Sequence, residues 1–159
     1  VDSLVSNVNN PPYVDDARVY FCSSKTVHCF DKFTGERIWR THFPNTNFLA
    51  ANYLMTEDKI VIGSDTGHKI GVRKSNGSIV YNEITWAGDF WSMTLYKNWW
   101  INVKKGMEIY DINTGKLKAD LNTRHKKGYF NTGVAIDEST GLFYLPDGYN
   151  MMCIKVKGL

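Results

Sequence analysis

Short runs of β-branched and aromatic residues alternate along this chain with clusters of Ser, Thr, Asp, Asn, Lys and Gly, and the alternation itself recurs. The first stretch reads ARVYFCSSKTVHCFDKFTGERIWR (17–40) and the second DKIVIGSDTGHKIGVRKSNGSIVY (58–81). The third reads KNWWINVKKGMEIYDINTGKLKA (97–119) and the fourth TGLFYLPDGYNMMCIKVKGL (140–159). The first apolar residue of each, Val19, Ile60, Trp99 and Leu142, recurs at steps of 41, 39 and 43 residues. The turn glycines Gly35, Gly77, Gly115 and Gly158 recur at steps of 42, 38 and 43. Two markers that keep one period identify an internal repeat. No window places apolar residues at i, i+3, i+4 and i+7, so few helices are expected.

Each copy resolves into strands separated by turn chemistry. An apolar strand (19–22 in the first copy) leads to a turn at 23–26, matched at 64–67, 104–106 and 146–148, where the later copies carry glycine. A second strand follows at 27–30, 69–72, 107–110 and 151–154. A polar turn ending in glycine then leads to a third strand at 36–40, 78–82 and 116–120. A further strand precedes each later copy, at 48–55, 90–96 and 129–136, and carries small residues such as Ala50, Ser92 and Gly133. Small residues are expected where strands of several sheets converge. Four antiparallel strands in about 41 residues make one propeller blade. The predicted fold is therefore all-β, a β-propeller of about four four-stranded blades, as a complete small ring or part of a larger propeller. The blades are expected at 13–40, 48–82, 90–121 and 129–159 of a single domain, with residues 1–8 as a closing outer strand that hides a sheet edge.

Composition narrows the reading. The 159 residues are enough for one domain with a real core. Aromatics reach 14 %, which suits pleated sheets. The net charge of +3 is scattered, and its densest cluster, Arg124-His125-Lys126-Lys127, is too short to indicate nucleic acid. No apolar run approaches the ~18–20 residues of a membrane span. Three cysteines, Cys22, Cys29 and Cys153, form no disulfide framework. Cys22 and Cys29 would face each other if their hairpin turned at Lys25-Thr26, but buried free thiols are the favoured expectation.

FDKFTGERIW (30–39) and YDINTGKL (110–117) resemble the pyrroloquinoline-quinone-like propeller repeat. VRKSNGSIVY keeps the glycine but sets Arg73 in place of the Asp and Val80 in place of the Trp, and the last copy keeps only Gly158. The resemblance implies a propeller whose hallmark Trp packs between neighbouring blades. Members usually have about seven or eight blades, more than this chain holds. The dehydrogenases among them carry adjacent cysteines and a calcium site of carboxylates and amides. Here no two cysteines are adjacent, and Asp65-Thr66-Gly67 lacks alternating acidic ligands. No cofactor is expected.

Other chemistry is sparse. Asp15-Asp16 reads as a turn. His28, His42, His68 and His125 share no metal-ligand spacing, and His28, in mid-strand, is expected to point outward. No GxSxG, Walker A or GxGxxG occurs. Asn76-Gly77-Ser78 is a glycosylation sequon, although Asn-Gly also suits a turn. The positive feature is aromatic. Asn47-Phe48, Asp89-Phe90-Trp91 and Phe130-Asn131, with Tyr13 after Pro11-Pro12, place aromatics beside amides or carboxylates where the innermost strands begin. Such residues would surround a channel mouth and suit sugars, peptides or aromatic ligands.

The function expected is a noncatalytic interaction or scaffold module with a protein partner, its own chain and a larger assembly among the options. Small-ligand or carbohydrate binding at the channel mouth is one alternative, and a segment of a quinoprotein dehydrogenase another. No nucleic-acid partner is expected.

Overall fold

A computed structural model describes residues 11–48, 52–85, 92–103, 106–121, 133–146 and 150–157. Regular structure among them is all strand. The first sheet takes β1 (Tyr13–Val14), β2 (Arg18–Ser23), β3 (Thr26–Asp31) and β4 (Arg37–His42) in that order. The second takes β5 (Asn52–Met55), β6 (Lys59–Gly63), β7 (His68–Arg73) and β8 (Ile79–Ile84). The third takes β9 (Ser92–Tyr96), β10 (Trp99–Val103), β11 (Met107–Asp111) and β12 (Leu117–Asp120). The fourth holds three described strands, β13 (Ala135–Asp137), β14 (Leu142–Pro146) and β15 (Met151–Lys155). All pairings are antiparallel and join sequence neighbours. This is the order that short turns between successive strands dictate.

The chain divides into two compact units, Val1–Asp89 with Asn113–Gly115, and Phe90–Ile112 with Lys116–Leu159. In the first unit, the period-two alternation of each strand sends Tyr20, Cys22, Val27, Cys29 and Trp39 from the first sheet into one core. Ile60, Ile62, Ile70 and Val72 of the second sheet meet them there. Each such side chain contributes about 1.5–3 kcal/mol on leaving water. In the second unit, Ile101, Val103, Met107 and Ile109 pack with Phe143 and Leu145. Gly133, just before β13, approaches Ser92 so closely that a Cβ there would lie 2.8 Å from its hydroxyl.

The glycine-marked turn before each outer strand has a definite mechanism. Asp31 accepts the amide N–H groups of Phe33 and Thr34 at 2.9 and 2.8 Å. Gly35, at φ +72°, closes the turn by donating to the Asp31 carbonyl at 3.0 Å. Gly77 closes on Arg73 in the same way at 2.9 Å. The Asp137–Gly141 turn uses this device one step earlier, between β13 and β14, where Gly141 donates to the Asp137 carbonyl at 2.8 Å. Asp15 also forms the turn expected of it, accepting the amides of Ala17 and Arg18 at 3.1 and 2.9 Å.

Two expectations change, and one of two options for the cysteines is settled. A register shift interrupts the pairing of the third strand with the fourth in each of the first three sheets, at Cys29/Phe30, Gly71/Val72 and Ile109/Tyr110. This bulge moves the next side chain across the sheet. Each outer-strand aromatic follows its turn glycine by four residues, so the counterpart of Trp39, paired with Cys29, is Tyr81, paired with Gly71, and not Val80. The hairpin after β2 turns at Ser24-Lys25, so Cys22 lies opposite Val27 and Cys29 opposite Tyr20. The two thiols are not facing partners, and both are free and buried. His28 is buried rather than outward. Its ring stacks on Phe21 at 4.9 Å, and Nε2 lies 3.0 Å from the Ser23 hydroxyl. Aromatic neighbours on that face give the imidazole a flat apolar bed that strand position alone does not reveal.

Candidate functional site

The turn at 73–77 is gripped by the first sheet. Trp39 donates from Nε1 to the Lys74 carbonyl at 3.0 Å, and Arg18 donates to the same oxygen at 2.7 Å. Thr41 donates its hydroxyl to the Gly77 carbonyl at 2.5 Å. Gly77 lies against the Trp39 ring, where an added Cβ would stand 2.6 Å from a ring carbon. The Lys74 ammonium meets the Asp15 carboxylate at 3.0 Å and lies over the Tyr20 ring. Burial opposes the charge on Asp15. The Lys74 contact and the Ala17 and Arg18 amides outweigh it and hold the carboxyl at about 2. Tyr81 repeats the arrangement, since its ring covers the α-carbon of Gly115 within the same unit. These contacts make the two sheets of the first unit one rigid platform.

On that platform the innermost strands border an open cleft of about 210 Å³, lined by Pro11, Pro12, Tyr13, Asn52 and Tyr53. Pro11 and Pro12 lead into β1, and the fixed proline φ keeps that entry extended. Tyr53 donates its hydroxyl to the Pro11 carbonyl, which ties the cleft walls together. Burial pushes the Tyr53 phenol up to about 12, so it remains a neutral donor. Tyr13 is 40 % exposed and tilts against Tyr20 at 6.5 Å. The cleft thus offers aromatic and proline surface, an amide and a phenol. Its volume is below the ~300 Å³ at which drug-sized pockets begin, so it fits one ring or one side chain.

Of the predicted site residues, Tyr13 lies in this cleft. Phe48 is 2 % exposed and meets Phe43 edge-on at 5.6 Å, so its ring serves the core. Asn47 is half-buried, and its backbone N–H donates to the Thr66 hydroxyl at 3.2 Å. Asp89, Phe90, Trp91, Phe130 and Asn131 lie outside the described residues, as do residues 1–8 and the basic cluster at 124–127. Asn52 and Tyr53 were not singled out from sequence. The signal available was a polar amide in an otherwise apolar innermost strand.

The second unit holds a buried carboxylate. Glu108 accepts the Tyr110 hydroxyl at 2.6 Å and the Asn102 amide at 3.3 Å, while Tyr110 stacks on Trp100 at 4.5 Å. These bonds pair the buried carboxylate. Among the described residues no group of three or more His, Cys, Asp or Glu side chains is placed to hold a metal ion. Cys22 and Cys29 are separate buried thiols, and Cys153 is exposed on β15. No helix among the described residues is long and apolar enough to cross a membrane.

No protein-family model matches the sequence, and no curated protein matches it. Solved structures do match. BamB from Moraxella catarrhalis is similar with a TM-score of 0.71 at 13 % identity, over 93 % of this chain and 50 % of that one. The C-terminal WD40 domain of Sif2 is similar with a TM-score of 0.71 at 10 % identity, over 93 % of this chain and 46 % of that one. The quinohemoprotein alcohol dehydrogenase from Comamonas testosteroni gives a TM-score of 0.66 at 20 % identity, over 89 % of this chain and 29 % of that one. This chain spans half or less of each of these structures. At such identities the likeness concerns fold, and WD40 domains are propellers. The chain therefore has a β-propeller fold, built from antiparallel sheets of three or four described strands.

Proposed function

We propose that this chain is a noncatalytic member of the pyrroloquinoline-quinone-like propeller repeats and acts as a protein-interaction module. Its cleft at Tyr13, Asn52 and Tyr53 receives one ring-bearing side chain from an extended segment of the partner. The observation that carries the reading is this open aromatic and proline cleft on a rigid two-sheet platform. A ring entering it gains apolar burial against Tyr13 and the prolines. Similarity to propellers supports the module reading at the level of fold.

A titration of ¹⁵N-labelled protein with short peptides carrying Pro, Tyr or Trp, followed by NMR, tests it. Shifts confined to Tyr13, Asn52 and Tyr53, abolished in Tyr13→Ala, are the expected result. No shift at these residues with any peptide would overturn the site. A second reading, a sugar ring in the same cleft, draws on the pairing of aromatic faces with an amide. Oligosaccharides in the same titration separate the two, since shifts with sugars and none with peptides would favour it. The dehydrogenase reading predicts calcium-dependent quinone binding, which absorbance spectroscopy of protein mixed with both would detect.

A further inference from the structure

Asn76-Gly77 is the chain's single Asn-Gly pair, and it sits at the gripped turn. The matching turns carry Thr34-Gly35 and Thr114-Gly115, and the related turn at 137–141 carries Thr140-Gly141. The turn geometry therefore has no need of Asn at this position. Asn next to Gly invites attack of the glycine nitrogen on the side-chain amide, because glycine adds no Cβ to hinder it. We propose that Asn76 is a site of spontaneous modification to aspartate and isoaspartate, held in check by the grip of the first sheet on the turn.

The reaction needs only water. The Gly77 nitrogen loses its proton to solvent and bonds to Cγ of Asn76. The Cγ–Nδ2 bond breaks and ammonia leaves, giving a five-membered succinimide. Water then opens either carbonyl of the ring, so the product is aspartate or its isomer with the side-chain carboxyl in the main chain. Nothing is oxidised or reduced.

The folded turn opposes each movement this requires. The Gly77 N–H is engaged with the Arg73 carbonyl at 2.9 Å. The Gly77 carbonyl is held by Thr41 at 2.5 Å, and its α-carbon is covered by the Trp39 ring. The Asn76 side-chain oxygen accepts the Ser78 N–H at 3.0 Å, a bond the side chain gives up to rotate toward the Gly77 nitrogen. Asn76 is itself exposed, so water has access once the turn opens. The isoaspartyl product adds one methylene to the main chain inside the turn. The 73-to-77 bond can then no longer close as before, and the glycine is displaced from Trp39. Opening of the contact speeds the modification, and the modification keeps the contact open.

Peptide mapping by mass spectrometry after incubation in mildly alkaline buffer tests this, with fragmentation that distinguishes aspartate from isoaspartate. Conversion at Asn76 in the folded protein should be at least about tenfold slower than in the same chain unfolded in urea, because it requires local opening. Thr41→Val removes a bond worth ~1 kcal/mol and should speed conversion about fivefold. Trp39→Phe, which loses the Nε1 bond but keeps a ring, should also speed it. Equal rates in folded and unfolded wild-type chain would overturn the proposal. So would Thr41→Val and Trp39→Phe variants, folded by circular dichroism, that convert no faster than wild type.

Discussion

Two glycines with nearly the same backbone angle provide a controlled measurement of what holds the first unit together. Gly35 and Gly77 close equivalent turns at φ +72° and +75°. A Cβ on Gly35 would meet nothing within 4 Å. On Gly77 it would stand 2.6 and 2.8 Å from Trp39 ring carbons and 2.8 Å from the Thr41 hydroxyl. Alanine in the left-handed region costs about 1–2 kcal/mol at either site, and reduced freedom of the unfolded chain returns ~0.4–1 kcal/mol of that. Gly35→Ala should therefore destabilise by about 0.5–1 kcal/mol. Gly77→Ala bears the same backbone cost plus ~1–3 kcal/mol of overpacking against a ring that cannot retreat without losing its bond to Lys74. Its total should be about 1.5–4 kcal/mol. Urea unfolding followed by Trp fluorescence gives both values, provided the slope against urea is unchanged. Equal losses in the two variants would refute the claim that the turn is packed against Trp39.

Two further outcomes follow from the same contacts. The Asp15 carboxyl, lowered from an ordinary 3.8 to about 2, adds stability that is complete above pH ~4 and is lost as pH falls toward 2. Solvent screening of this half-buried group limits the gain to ~1 kcal/mol. Asp15→Asn should be less stable than wild type by about that much at neutral pH, and the two unfolding curves should converge near pH 2; a constant gap down to that pH would count against the ion pair. Burial raises the Cys22 and Cys29 thiols to about 12 and 11, whereas Cys153 is exposed. Thiol labelling of native protein at pH 8 should modify Cys153 alone, and rapid labelling of Cys22 would contradict the core assignment.

The repeat was readable because each blade needs the same local devices: an apolar strand, a tight hairpin and a glycine turn. Asp31 and Gly35 announce that turn chemically, and the structure uses them as the residue types require. Tyr81 stands four residues after Gly77 as Trp39 stands four after Gly35, so Tyr81, and not Val80, occupies the Trp position. The hairpin turns at Ser24-Lys25 and sets Cys22 opposite Val27, so Cys22 and Cys29 remain the free buried thiols that their residue type favours. His28 was misjudged because polarity suggests solvent, while Phe21 and Phe30 on its own face supply a stack. Of the site, Tyr13 was legible as an aromatic after two prolines. Asn52 and Tyr53 were not, because closeness between the innermost strands of successive sheets arises from packing. Phe48 carried the same local signal as Tyr13, yet its ring is used by the core.

The account rests on glycine turns seated against the outer-strand aromatic of the preceding sheet. Proton NMR reads this directly, through nuclear Overhauser contacts and ring-current shifts. Gly77 α-protons should show strong contacts to the Trp39 ring, Gly115 α-protons to the Tyr81 ring, and both glycines should be shifted upfield, while Gly35 shows neither effect. Gly77 and Gly115 resonating at ordinary positions with no aromatic contacts would contradict the packing from which the rest is built.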